Sequence, residues 1–135
     1  MKIVLDTNVL VSGIFFSGPP SEILRAWSRG KVRLVVTREI FDEYWRVAAE
    51  LRGGFPDVDV TRLLELILVG AEICAPAKLP DHVCADPDDD KFFACAVASG
   101  ADVVVSGDKH LLKVSGYRGI PVMTPRMFVD QHLRA

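Results

Sequence analysis

Cysteine is scarce: Cys74, Cys84 and Cys95 are the only three in 135 residues. The number is odd and no Cys-x-x-Cys occurs, which argues against a disulfide framework or a zinc site. Reduced thiols are expected, with Cys95 in FFACAVA as a small buried apolar residue. No apolar run approaches the roughly 18 residues of a membrane span. The opening MKIVLD runs straight into an acid, without the cleavage pattern of a secretory signal. A cytoplasmic protein with no membrane contact is therefore expected. There is no internal repeat, no low-complexity tract, and no Ser-His-Asp or Cys-His pattern for nucleophilic catalysis. Charge of one sign is also missing in excess. The net charge of −2 argues against a strongly basic nucleic-acid module. Its distribution is uneven, however: arginine is rich between Arg25 and Arg52, and acids crowd at Asp86–Asp90.

What is present suits one packed domain over residues 1–135. Half the residues are apolar, enough for a core without staples. Lys2–Leu5 is a β-branched run that predicts a buried strand. The loop Ser17–Pro20 precedes a helix to Ser28, with Ile23, Leu24 and Trp27 on one face and Gly30 as its stop. Val32–Val36 predicts a second strand. Thr37 is placed to cap a helix to about Leu51, striped by Ile40, Tyr44 and Val47. Gly53, Gly54 and Pro56 mark a loop, and Asp59–Val69 is a further helix. Glu72–Ala75 predicts a short strand, and Pro76–Pro87 a connecting loop. A helix starting at Asp88 or Asp89 reaches Ser99 and ends at Gly100. Val103–Val105 and Val122–Met123 read as strands, separated by a short helix Lys109–Lys113. Thr124-Pro125 opens the terminal helix. Strands alternating with helices imply an α/β sandwich around a mainly parallel sheet, with ligands gathering outside the carboxyl ends of its strands.

Four acids fall where that rim is expected. Asp6 ends the first strand. Asp108 follows the strand VVVS, Asp90 lies in the first turn of its helix, and Glu43 is two turns into the helix after the second strand. Each also has an ordinary structural reading. Asp6 and Asp108 suit turns or caps, Glu43 a solvated helix face, and the aspartate run a helix N-terminus. Taken jointly they favour chemistry. Two carboxylates about 5 Å apart repel by roughly 3 kcal/mol at an effective dielectric near 20. A hard divalent ion removes that cost and keeps waters that can meet a phosphate.

The segments MKIVLDTNVLVSG, REIFDEYWRV, DPDDDKFFACAVASGADVVVSGDKHLL and IPVMTPRMF resemble the PIN-domain family over nearly the whole chain. The closest likeness is to the branch described as toxin components of toxin–antitoxin systems. The resemblance implies a three-layer α/β/α PIN-like fold with a central, mainly parallel sheet. It implies endoribonuclease action with Mg²⁺ or Mn²⁺. It assigns the four acids of the site to Asp6, Glu43, Asp90 and Asp108, with Asp42 as the competitor to Glu43. Asn8 and Ser106 match supporting polar positions, and Asp88 belongs to the acidic run typical of the branch. His110 departs from it, standing where an acid is frequent, and either contacts phosphate or faces solvent.

On this reading Asp6, Asp90 and Asp108 ligate the metal, while Glu43 is a ligand or the base for the attacking water. Asn8, Ser106 and Asp88 support them. Arg46, Lys91 and Lys109 are candidate phosphate contacts. Among the aromatics, Trp27 and Tyr44 are expected in the core and Trp45 remains open to base stacking. Expected partners are an RNA substrate and a small antitoxin. The helix Val60–Leu68 and the first helix, with Trp27, offer a groove for the antitoxin, a homodimer contact or plain core. Rival readings are a receiver-type phosphoacceptor, a haloacid-dehalogenase-like phosphatase, a non-catalytic RNA- or partner-binding PIN domain, and a PIN nuclease of RNA processing. The receiver needs an acidic pair at the first strand and the phosphatase needs DxDxT; the chain has DTN.

Overall fold

The computed structural model describes residues 1–80, 82–84 and 86–134. The loop expected from Pro76 to Pro87 runs through positions 81 and 85, which lie outside the described residues. The strands are β1 (Lys2–Leu5), β2 (Arg33–Val36), β3 (Glu72–Ile73), β4 (Val103–Val105) and β5 (Val122–Met123). They form one sheet in the order β3-β2-β1-β4-β5. Every pairing is parallel. Ile3, Val4 and Leu5 of β1, Leu34, Val35 and Val36 of β2, and all of β4 are buried. Such unbroken apolar strands are what a parallel sheet covered on both faces requires.

Between the strands run α1 (Thr7–Phe15), α2 (Pro19–Ser28), α3 (Arg38–Leu51), α4 (Val60–Gly70), α5 (Asp90–Ser99) and α6 (Lys109–Leu112), and α7 (Pro125–Phe128) follows β5. The result is the expected α/β fold around a central parallel sheet. Among the described residues, no helix is long and apolar enough to cross a membrane. Thr37 caps α3 by accepting from the Ile40 N–H, and Gly100 closes α5 in the left-handed conformation at φ 69°. Thr124 and Pro125 open α7 as their chemistry suggests.

Helix α1 departs from the sequence expectation, which placed no element between Asp6 and Ser17. TNVLVSGIF carries β-branched residues and a glycine, poor helix formers with no polar face to betray a period. Tertiary burial of Val9, Leu10, Val11 and Phe15 overrides that weak propensity. Gly13 lets α2 cross closely: a Cβ there would stand 2.8 Å from the Pro20 carbonyl oxygen and 2.7 Å from Leu24 Cδ1. A second departure is small. Pro87–Asp89 forms a 3₁₀ turn, and α5 begins only at Asp90.

The winding order positions the site. From β1 the chain moves outward through β2 to β3, then returns past β1 to β4 and β5. The direction reverses between β1 and β4, and in open α/β sheets a crevice opens at such a point, outside the strands' carboxyl ends.

Candidate active site

Asp6 and Asp108 flank this crevice. The ladder between β1 and β4 extends one step past the strand, with the Asp6 N–H donating to the Val105 carbonyl at 3.0 Å. That fixes Asp6 at the rim, where it also precedes the first turn of α1. Its carboxylate is buried and accepts the Ser106 hydroxyl at 2.6 Å. The same Ser106 oxygen accepts the Asp108 N–H at 2.9 Å. One buried serine thus ties together two acids about a hundred residues apart in sequence. Burial pushes the Asp6 carboxyl above its ordinary range; the Ser106 hydroxyl and the Asn8 N–H oppose this, and the charges of Asp108 and Glu43 add to it. Asn8 is exposed and reaches the carboxylate through its backbone. Asp108 also caps α6, its Oδ1 accepting the His110 N–H at 2.8 Å, while the His110 residue is exposed.

Glu43 joins from α3. Ile40, Tyr44 and Ala48 are the buried stripe of that helix, and the Tyr44 hydroxyl donates to the Leu5 carbonyl. This bond clamps α3 against the end of β1. Glu43, one residue before Tyr44, is thereby turned inward, and its Oε2 accepts the hydroxyl of Thr7. Asp42 is exposed on the other flank.

The three consecutive aspartates before and at the start of α5 diverge. Asp90 does not face the crevice. Its Oδ1 accepts the Cys84 N–H at 2.7 Å, the Val83 N–H lies 3.2 Å from both oxygens, and His82 Nδ1 is 3.2 Å from Oδ2. Burial alone would raise its pKa, but these bonds win and hold the carboxyl below its usual range. Asp90 therefore fastens the 82–84 segment onto the helix entry, instead of sharing the rim with Asp6 and Asp108. Asp89, half-buried, lies near enough to Asp108 and Asp6 for their charges to act on it. Its carboxyl is raised to about 6, by burial first and then by the charges of Asp108, Asp6 and Asp86, with Lys91 opposing. Asp88 is mostly exposed and paired with Lys91.

Sequence reading passed over Asp89 and Thr7. A signal for Asp89 exists. Positions 89, 92, 93 and 96 follow the i, i+3, i+4, i+7 pattern of one helix face, and Phe92, Phe93 and Ala96 are all buried. Thr7 carries no comparable mark.

The candidate phosphate contacts differ in kind. The Arg46 side chain is 64% exposed beside Glu43 and Glu50, and Lys109 is exposed next to Asp108. Lys91 is not open to a phosphate. Its ammonium is buried and donates to the Asp88 carbonyl at 2.8 Å and to Asp88 Oδ2 at 2.9 Å, and lies 3.3 Å from Glu43 Oε1. Of the aromatics, Tyr44 is fully buried and Trp27 half-buried, whereas Trp45 is exposed and packs on Phe41.

The donors at the rim are all hard oxygens. Among the described residues, no three His, Cys, Asp or Glu side chains are drawn into range to hold an ion by themselves. An open set of that kind fits Mg²⁺ or Mn²⁺, which take one or two carboxylates and keep several waters, better than a closed protein cage. The fit rests on the chemistry of the donors and on the mutual repulsion at Asp6 and Asp89.

An apolar groove lies apart from the acids, between α2 and α4. Leu24, Trp27, Leu63, Leu66 and Ile67 line it, with Gly13 of α1 at its edge. Leu63 and Leu66 are exposed along it.

Comparison with known proteins relates the chain to a family and to an archaeal relative. A family model described as "PIN domain" matches residues 2–110. The chain is also 26% identical over 145 aligned positions to the uncharacterized protein MJ1680 of Methanocaldococcus jannaschii, covering 97% of this chain and 91% of that protein.

Proposed function

The chain belongs to the PIN domain family, and from that premise we propose that it is a divalent-metal-dependent endoribonuclease acting as the toxin of a toxin–antitoxin pair. Family membership supports a nuclease. The observation that carries the chemistry is the Ser106 bridge between Asp6 and Asp108, with Asp89 and Glu43 near enough for their charges to be felt. Carboxylates gathered in this way destabilise a fold unless a cation joins them, and the hydroxyls beside them, Ser106 and Thr7, are spent as donors to Asp6 and Glu43.

Asp6, Asp89 and Asp108 are the residues that would hold Mg²⁺ or Mn²⁺. When bound, the ion offsets their repulsion, acidifies water and stabilises charge on the phosphodiester oxygens. Ser106 keeps the Asp6 carboxylate turned into the crevice. Glu43, half-buried beside Asp6 and steadied by Thr7, is the group to accept the proton of the attacking water. Arg46, beside Glu43, and Lys109, next to Asp108 in the chain, are both exposed and would pair with flanking phosphates. Asp90 acts at a distance, by holding the 82–84 segment and with it the turn that presents Asp89. RNA as the substrate follows from the resemblance to the toxin branch. The antitoxin would lay an apolar segment into the groove between α2 and α4.

Incubating the protein with mixed RNAs in Mg²⁺, Mn²⁺ or chelator tests this. Cleavage is expected only with metal. Because water rather than a ribose hydroxyl attacks, the new ends should carry phosphate and free hydroxyl, without cyclic phosphate. Cleavage in chelator, cyclic-phosphate ends, or intact RNA under all conditions would refute the proposal.

A further inference from the structure

Among the described residues, Lys91 is the buried cation of the chain. An ammonium has three N–H donors. Three oxygens surround this one: the Asp88 carbonyl, Asp88 Oδ2 and Glu43 Oε1. Its bonding capacity is thus used, and no donor remains for a substrate phosphate. A lysine so placed carries a desolvation cost, and lysines are almost never buried without partners. Its position decides what it does. It stands in the first turn of α5, two residues past Asp89, and bridges to α3 through Glu43. It draws the mostly exposed Asp88 carboxylate toward itself.

We propose that Lys91 is a fixed counter-charge that partitions the acids: it holds Glu43 and Asp88 in ion pairs and leaves Asp6, Asp89 and Asp108 to the divalent cation. The assignment rests on the metal-site reading above and deepens it. Lys91 is a positioning residue. It steadies Glu43 for its proton-accepting role and keeps Glu43 and Asp88 from adding their charges to those of the metal-free rim. It also repels the incoming ion, so the site binds metal less tightly than its carboxylates alone would.

That last consequence separates the proposal from a merely structural lysine. Lys91→Met should tighten Mn²⁺ binding, measured by titration calorimetry or by electron paramagnetic resonance of free Mn²⁺, by about threefold or more, because a nearby positive charge is gone. Cleavage at saturating Mn²⁺ should fall by about tenfold as Glu43 loses its partner. Lys91→Gln, which keeps an N–H donor but no charge, guards against failure of the methionine variant to fold and should behave alike. Lys91→Arg, which keeps the charge, should bind Mn²⁺ as the unaltered protein does. Unchanged or weaker Mn²⁺ binding in a folded neutral variant would overturn the proposal. So would failure of both neutral variants to fold while Lys91→Arg folds, which would assign Lys91 to stability alone. If the unaltered protein binds no Mn²⁺, the metal-site reading itself fails.

Discussion

The two walls of the crevice are built on different principles. On one wall, Asp6 and Asp108 follow the ends of adjacent parallel strands, and Ser106 joins them. Strand ends and a ladder bond fix where those carboxylates stand. On the other wall, Asp88, Asp89 and Asp90 are consecutive, and each goes a different way: to Lys91, to the rim, and to the 82–84 segment. A strand end tolerates little ambiguity. At a helix entry, a shift of one residue turns a side chain by about 100° and changes its role altogether.

The largest expected contrast breaks the aspartate run apart. Asp6→Asn and Asp89→Asn should each abolish metal-dependent cleavage with the circular dichroism spectrum intact. Asp90→Asn should instead cut thermal stability, by about 1–3 kcal/mol for its lost charge-assisted bonds, and keep cleavage at saturating metal within about tenfold of the unaltered protein. Equal loss of activity in all three, with equal stability, would erase the distinction between Asp89 at the rim and Asp90 behind it.

On the strand wall, Ser106→Ala removes the hydroxyl that both Asp6 and the Asp108 N–H use. Metal affinity or activity should fall about 10–100-fold, read as a rightward shift in the Mn²⁺ dependence of cleavage.

Neighbouring aspartates on the helix wall should also answer pH in opposite senses. Asp89, raised to about 6, takes up a proton in the folded state before the unfolded chain does at its ordinary value of 3.8. The metal-free protein should therefore gain stability as pH falls from about 7 to about 5, and lose it as pH rises back through that window. Asp90, held below its ordinary value, contributes stability that is present at neutral pH and lost as pH falls below about 4. Thermal melts of the metal-free protein should peak between these ranges. Asp89→Asn should flatten the upper slope, and an unchanged slope would remove Asp89 from the cluster.

The smallest effect on chemistry is expected in the groove. Leu66→Glu should leave cleavage of RNA unaltered, since Leu66 lies on α4 away from the acids, and should abolish inhibition by an antitoxin peptide.

Much of the architecture was legible because burial and period coincide. The runs IVL, LVV and VVV are continuously apolar and form the buried parts of β1, β2 and β4. Caps at Thr37, Gly100 and Thr124 marked their helices correctly. Helix α1 was not legible, since a helix apolar on most sides shows neither a broad polar face nor strong propensity, and only its packing against α2 and α3 reveals it. In the site, the placements of Asp6 and Asp108 could be read from strand ends, and the inward turn of Glu43 from its neighbour Tyr44. The register of the aspartate run needed the buried stripe Phe92, Phe93 and Ala96 to be set against it. Lys91 illustrates a further limit: composition marks it as a surface cation, and only coordinates show three acceptors closing around it.

Locating Mn²⁺ by anomalous scattering in crystals of the protein tests the central claim most directly. The account predicts an ion at the mouth of the β1–β4 crevice, held by Asp6, Asp89 and Asp108 directly or through its waters, with Asp90 still bonded to Val83 and Cys84. An ion seated on Asp90, or Mn²⁺ absent from the crevice under conditions where the protein cuts RNA, would contradict it.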